Sequence, residues 1–142
     1  MGKVCFVCVG NELSGDDGFG PYVHSLIEGR VHAIDASTFP EAFVGVIIEK
    51  RPERVVLLDA AEFGAAPGEL HIIDPSTIEQ SHFSTHRAPL KHFINSLGKE
   101  GIPVVLLCVQ AKKTGLGEEM SQEVKTAAED IAKKIIGEQK NV

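Results

Sequence analysis

Short apolar runs alternate along the chain with stretches in which apolar residues recur every three or four positions. Runs that are apolar on both faces predict buried parallel strands, and the helical period predicts crossover helices between them. The pattern therefore predicts an α/β fold with a mostly parallel sheet. The predicted strands are residues 4–9, 31–35, 55–60, 69–73 and 103–109, and the predicted helices are residues 21–28, 41–50, 89–97 and a last helix after Ser121.

Residues that commonly start or stop helices and strands lie at the ends of these predicted elements. Pro21 stands near the first position of its helix, where a missing N–H costs little. Pro75 bounds residues 69–73, which we expect to form an edge strand. Ser121 predicts the N-cap of the last helix, which should bury one face. That face comprises Val124, Ala127, Ala128, Ile131 and Ile135.

The composition is typical of one domain over residues 1–142. Hydrophobic residues make up 43% of the chain, which excludes an intrinsically disordered protein. The net charge of −6 argues against a nucleic-acid groove, which needs clustered Lys and Arg. We find neither a signal-peptide pattern nor an apolar stretch of membrane-spanning length. We therefore expect a cytoplasmic protein, and nothing in the sequence requires more than a monomer.

The three cysteines predict core packing rather than redox chemistry or metal binding. Cys5 and Cys8 have the C-x-x-C spacing, but both fall inside a predicted strand. Side chains alternate along a strand, so positions three apart point to opposite faces and cannot bind one ion together. Cys108, inside another predicted strand, is interpreted in the same way.

Polar chemistry is expected at the carboxyl edge of the sheet, because ligands of open α/β folds bind where parallel strands end. Four predicted loops leave that edge, and they comprise residues 10–20, 36–40, 59–67 and 110–120.

The first of these loops has the sequence GNELSGDDGFG, residues 10–20. It matches neither glycine-rich phosphate motif, and it carries Glu12, Asp16 and Asp17 with no Lys or Arg. Three carboxylates repel a pyrophosphate and attract a metal ion or a protonated group. The alternative is that Asp16 or Asp17 caps the following helix, where negative charge suits the helix dipole. Capping accounts for one of the three acids.

Asp59 and the histidines of HFSTH are the other candidates. Asp59 closes an apolar strand, so it is either a ligand-binding carboxylate at the sheet edge or a turn-forming residue bonded to its own loop. His82 and His86 have the spacing of two ligands on one helical face, but H-E-x-x-H is absent and Pro89 disfavours a helix there. A single histidine at the entrance to the following helix is the more credible ligand.

Several segments in this order resemble the hydrogenase maturation endopeptidase family. They are GNELSGDDGFG, LLDA at the end of the third strand and STHRAPL before a helix, together with DASTFPE, PGELHIIDP and VQAKKTGLGEEMSQEV. The chain is most similar to the branch that serves formate hydrogenlyase-type enzymes. The resemblance implies a three-layer fold in which a twisted, mostly parallel five-stranded sheet lies between helices. It also implies an endopeptidase that removes the C-terminal extension of the nickel-loaded precursor of the nickel–iron hydrogenase large subunit.

The resemblance places the family's metal-contacting residues on Asp17, Asp59 and His86, with Asp17 and Asp59 as the catalytic acids. Two carboxylates and one imidazole suit a borderline divalent ion such as nickel or zinc and leave open coordination positions. Two mechanisms follow. Either a bound metal lowers the pKa of an attacking water, or the nickel belongs to the substrate and a carboxylate is the general base. The second explains why a nickel-free precursor would be left uncut.

The same resemblance gives Gly10, Asn11, Asp35 and Gln110 as residues of the substrate groove. Relatives often carry two glycines after the acid of the second strand, whereas this chain has Asp35-Ala36-Ser37, which would shape the groove differently. A nickel-dependent chaperone that binds the same precursor without cutting it is the alternative function. A small α/β hydrolase with an unrelated substrate is a third hypothesis, because a fold does not determine a function.

Overall fold

The sheet positions every candidate residue described below. The computed structural model describes residues 3–76 and 90–140. Five strands in that part of the chain form one sheet. They are β1 (Val4–Val9), β2 (Ala33–Ser37), β3 (Arg54–Ala61), β4 (Leu70–Ile73) and β5 (Val104–Gln110).

The strand order is β2-β1-β3-β5-β4. Strands β2, β1, β3 and β5 are parallel, and β4 pairs antiparallel with β5 at the edge. Both the mostly parallel sheet and the edge position of residues 69–73 are confirmed. In the register, Cys8 lies opposite Leu58 and Asp59 lies opposite Cys108, so the carboxyl ends of β1, β3 and β5 meet at one edge.

Helices cover both faces of the sheet, as the predicted three-layer fold requires. They are α1 (Phe19–Ile27), α2 (Val44–Lys50), α3 (Leu90–Gly98) and α4 (Gln122–Lys140), and two 3₁₀ turns (Gly15–Gly18 and Pro40–Phe43) precede α1 and α2. On one face Ile47 of α2 and Phe93 of α3 are fully or almost fully buried. On the other face α1 and α4 contribute Phe19 and Val124, so a separate apolar core lies on each side of the sheet.

The structure corrects several predicted boundaries. Strand β2 begins at Ala33 rather than at residue 31 and continues to Ser37, so Asp35 lies inside the strand and not at its end. Helix α1 begins at Phe19, since the 3₁₀ turn leads directly into it, and the first loop is therefore shorter than residues 10–20. Gln110 is the last residue of β5 rather than the first residue of a loop.

The last helix follows its prediction. Ser121 precedes α4, and the Val124 N–H approaches its Oγ at 3.5 Å. The predicted apolar face packs into the core beside α1. The predicted helix over 89–97 is observed from Leu90 to Gly98. Residues 77–87 of the predicted 76–87 loop lie outside the described residues.

The cysteines are buried on both sides of the sheet, as predicted. Cys5 and Cys108 lie in the core beneath α2 and α3, and Cys8 lies in the opposite core. All three are free thiols. Burial raises the pKa of each thiol, and negative charge on Asp35 and Asp59 raises the pKa of Cys8 and Cys108 further. The thiols are therefore structural groups.

No helix within the described part of the chain is both long enough and apolar enough to span a bilayer.

Helix α1 packs against the end of β1 at a glycine. A Cβ atom on Gly20 would overlap the Val9 carbonyl oxygen and lie 2.6 Å from the Val9 nitrogen. Because backbone atoms inside a parallel sheet cannot shift without breaking strand pairing, any side chain here separates α1 from β1. Gly45 in α2 differs, since a Cβ atom there would meet no heavy atom within 4 Å.

We expect Gly20→Ala to lower the free energy of unfolding by about 3 kcal/mol, the upper range for overpacking a core. Gly45→Ala makes the same chemical change in open space, and there we expect a gain of about 0.5 kcal/mol from the better helix propensity of alanine. Urea unfolding of both variants measures the difference. Equal effects of the two substitutions would contradict this account of the α1–β1 contact.

Candidate active site

Asp17 and Asp59 lie on adjoining elements at the carboxyl edge of the sheet. Asp17 belongs to the 3₁₀ turn that follows β1, and Asp59 lies near the end of the neighbouring strand β3. The turn packs against β3. Asp59 follows Leu58, the partner of Cys8, so it lies level with the end of β1. The structure thus brings two of the three predicted ligand residues to the same end of the central strand pair.

The Asp17 carboxylate is buried, with 5% of the residue exposed. Its Oδ2 accepts a hydrogen bond from the Asn11 backbone N–H at 3.1 Å. Gly10 permits this arrangement, because a Cβ atom at that position would overlap the Asp17 carbonyl oxygen. The chain that leaves β1 therefore passes directly over the backbone of Asp17 and orients its carboxylate.

Asp59 is completely buried, and its Oδ1 accepts a hydrogen bond from the Ala60 N–H at 2.8 Å. Its neighbour across the sheet is Cys108. Burying a carboxylate between apolar strands costs desolvation free energy. Proteins keep such groups mainly where they serve a specific role. Asp59 is bonded to the following amide, as the turn interpretation requires, and it also lies at the ligand-binding edge.

His86, the third predicted ligand, lies outside the described residues, as does His82. Within residues 3–76 and 90–140, no three His, Cys, Asp or Glu side chains converge closely enough to hold a metal ion. The predicted Asp17–Asp59–His86 site therefore stays a prediction. Asp17 and Asp59 are the two residues of the predicted site that lie within the described part of the chain.

The Gln110 side chain is almost completely buried and connects the ends of β3 and β5. Its Oε1 accepts hydrogen bonds from the Phe63 N–H at 2.9 Å and the Ala65 N–H at 3.2 Å. Its Nε2 donates to Glu62 Oε2 at 2.7 Å and to the Ala111 carbonyl at 2.9 Å. Gln110 thus fixes the path of residues 62–65 beside Asp59, a structural role that the predicted groove contact did not include.

The other predicted groove residues have local roles at the same edge. Asn11 closes its own turn, since its Oδ1 accepts from the Leu13 N–H at 2.9 Å and its Nδ2 donates to Ser14 Oγ at 3.2 Å. Asp35 is exposed on edge strand β2, and its Oδ1 accepts from the Ser37 N–H at 3.1 Å. Their contact with a substrate stays a prediction.

Asp16 has a role that the sequence did not reveal. Either Asp16 or Asp17 is expected to cap the following helix, but the fully buried Asp16 carboxylate accepts hydrogen bonds from groups 96 to 105 residues later in the chain. Its Oδ2 accepts from the Lys112 and Lys113 N–H groups at 2.8 and 3.0 Å. Its Oδ1 accepts from the Ser121 N–H at 2.6 Å. Ser121, predicted only as an N-cap, therefore also binds the 3₁₀ turn Gly15–Gly18, which we call the acidic turn.

Glu12, the third acid of the loop, is exposed and lines an open cavity of about 560 Å³. Gly15 and Gly18 of the acidic turn contribute to its wall, as do Glu118 and Met120 from the segment before α4. The acidic turn and the 112–121 segment thus form one continuous surface.

Comparison with known proteins identifies close relatives. A family model described as hydrogenase maturation protease matches residues 23–138, a range that includes Asp59 and begins after the acidic turn. The hydrogenase 3 maturation protease of Escherichia coli K12 is 35% identical over 136 residues, which cover 92% of this chain and 87% of that protein.

Solved structures agree with this result. The crystal structure of a [NiFe] hydrogenase maturation protease HycI from Thermococcus kodakarensis superimposes with a TM-score of 0.86 at 33% identity. The solution structure of the endopeptidase HycI from Escherichia coli gives a TM-score of 0.85 at 34% identity. Each alignment covers 95% of this chain and 90% of the other.

We expect Gln110→Leu to lower the free energy of unfolding by about 2 kcal/mol or more, because the Phe63 and Ala65 amides lose their acceptor and each unsatisfied group costs about 1–3 kcal/mol. Hydrogen exchange at these two amides should accelerate. Gln122→Leu is the matched control, since its amide donates to Thr126 Oγ1 at 3.1 Å on the exposed face of α4. A control that destabilises the protein as much as Gln110→Leu would disprove the proposed role.

Proposed function

The chain belongs to the hydrogenase maturation protease family, and on this basis we propose that it cleaves the precursor of a nickel–iron hydrogenase large subunit and releases its C-terminal extension. The observation that carries the proposal is the pair of buried carboxylates, Asp17 and Asp59, on adjoining elements at the carboxyl edge of the sheet. A peptidase needs a group that activates water, and a positioned carboxylate can serve as that general base.

In the proposed reaction, one of these two carboxylates takes a proton from a water molecule while the water oxygen attacks the scissile carbonyl. The proton then passes to the leaving amide nitrogen as the C–N bond breaks. Burial supports this role, because a carboxylate shielded from bulk water interacts more strongly with a reacting water than an exposed one does. The Asn11 N–H holds the Asp17 carboxylate in one orientation.

We further propose that nickel arrives on the precursor as part of the substrate. Asp17, Asp59 and His86 are the residues proposed to contact it. The donor set fits, since two carboxylates and an imidazole are ligands that nickel and zinc both accept. Such contacts would register whether the precursor has received its metal before the peptide bond is cut. Cytoplasmic location and a monomeric state remain predictions from the sequence.

We expect Asp17→Asn and Asp59→Asn each to lower the rate of precursor cleavage by about 10²-fold or more. The variant at the general base loses the proton acceptor, and the variant at the other acid loses a charged contact to the nickel of the substrate. Binding of the precursor should persist. Asp130→Asn, at an exposed acid on α4 that belongs neither to the acidic turn nor to β3, removes the same charge and should leave the rate unchanged. Mass spectrometry of the precursor C-terminus follows the cut, and thermal unfolding verifies that each variant is folded.

Three results would contradict this function. If the unaltered protein binds the nickel-loaded precursor but never shortens it, the nickel-dependent chaperone is the better description. If it hydrolyses unrelated peptides or esters at comparable rates, an unspecific hydrolase is indicated. If both Asn variants cleave like Asp130→Asn, the two acids are not catalytic.

The role of nickel is tested with precursor prepared in three forms, which carry nickel, zinc or no metal. We expect cleavage of the nickel form only, because contacts from Asp17, Asp59 and His86 are proposed to depend on the metal in the substrate. Equal cleavage of all three forms would remove nickel from the proposal and leave the peptidase activity intact. Cleavage of the zinc form alone would assign the site to that ion.

A further inference from the structure

The buried carboxylate of Asp16 takes no part in the reaction proposed above, although it adjoins Asp17 in the same 3₁₀ turn. Its partners are all in the segment between β5 and α4. In addition to the three backbone N–H groups described above, the Ser121 hydroxyl lies 2.9 Å from both Asp16 oxygens. The Asp16 N–H in turn donates to the Lys113 carbonyl at 2.8 Å.

Only a carboxylate satisfies this set of partners. The Lys112 and Lys113 amides point at Oδ2 and the Ser121 amide points at Oδ1, so donors face both oxygens. An asparagine has a single acceptor oxygen, and its NH₂ group would face either one or two N–H donors. The hydrogen bonds also offset the cost of burying the charge, which an unsatisfied carboxylate would incur in full.

The acidic turn connects residues 112–121 to Asp17. Asp16 is held from the side of residues 112–121, and Asp17 is held by the Asn11 N–H from the side of β1. Two further backbone bonds join the same parts of the chain, from Gly15 N–H to the Glu118 carbonyl at 3.1 Å and from Gly117 N–H to the Leu13 carbonyl at 2.8 Å. A turn of four residues that is fixed at both sides leaves Asp17 little freedom to move.

We propose that Asp16 is a positioning residue for precursor cleavage: by binding residues 112–121 it holds the Asp17 carboxylate in its reactive orientation. This inference rests on the proposed function, in which Asp17 acts on the substrate. Residues 112–121 then contribute to catalysis indirectly. They fix the position of Asp17, which lies about a hundred residues earlier in the sequence.

Asp16→Asn is the direct test, measured as cleavage of nickel-loaded precursor per folded molecule. We expect kcat to fall about 10-fold or more with little change in KM, because a displacement of about 1 Å in a reacting group can cost about 10²-fold in rate. Ser121→Ala keeps the backbone donor and loses the hydroxyl contacts, so it should give a smaller decrease in the same direction. Ile135→Ala removes a buried side chain of α4 that lies 14 residues after Ser121, and it serves as the control for stability alone.

Hydrogen exchange of the Asn11 amide provides a readout that needs no substrate. This amide donates to Asp17, so its protection reports on the position of that carboxylate. We expect exchange to accelerate in Asp16→Asn and in the reference variant Asp17→Ala, which removes the acceptor, and to stay slow in Ile135→Ala under conditions where each variant is folded. If Asp16→Asn does not fold, Ser121→Ala carries both measurements.

A kcat per folded molecule equal to that of the unaltered protein, or Asn11 exchange equal to that of Ile135→Ala, would overturn the positioning role and leave Asp16 a purely structural acid. Absence of cleavage by the unaltered protein would refute the proposed function instead. In that case hydrogen exchange of the Asn11 amide is the remaining test of whether Asp16 positions Asp17. Accelerated exchange in Asp16→Asn supports this role, and unchanged exchange overturns it.

Discussion

The site depends on the close approach of backbone to backbone at the end of β1. Gly20 lets α1 begin directly against Val9, and Gly10 lets the chain leaving the strand pass over the Asp17 carbonyl. A side chain at either position would separate layers that are otherwise in van der Waals contact. The chain at this approach is covalently continuous with β1 on one side and packed against it on the other, which restricts where the acidic turn lies against β3, the strand that carries Asp59.

Much of the fold could be predicted from local patterns. Strands β1, β3 and β5 are apolar on both faces, and α4 has a clear apolar stripe, so periodicity alone identified them. The second strand is observed two residues later than predicted. Its pairing with β1 contains a register shift between Cys8 and Val9, so Val9 pairs with Ser37 and the strand continues past Asp35, a feature that no sequence pattern encodes. The 3₁₀ turn before α1 was missed for a related reason, since its glycine-rich sequence indicates a loop and only packing against β3 makes it regular.

The candidate site also contains residues that local sequence predicts and residues whose roles depend on distant partners. Asp17 and Asp59 were accessible to prediction because acids at the ends of parallel strands stand out against apolar runs. The partners of Asp16 and Gln110 were not, since they lie 105 and 47 residues away along the chain for Ser121 and Phe63 respectively. Asp16, Asp17 and Gln110 look equivalent in sequence as polar residues at a sheet edge, and long-range hydrogen bonds decide which of them are structural.

The buried cysteines have a consequence for metal selectivity. All three thiols of the chain are enclosed in the two cores, where burial favours their protonated form. Thiophilic ions such as Cu(I) bind through thiolate, and this protein offers them none in its folded state. A protein proposed to inspect the metal content of another must not sequester metals itself. Enclosing its thiols removes thiolate ligands from the surface and leaves oxygen and imidazole donors, which suit a borderline divalent ion.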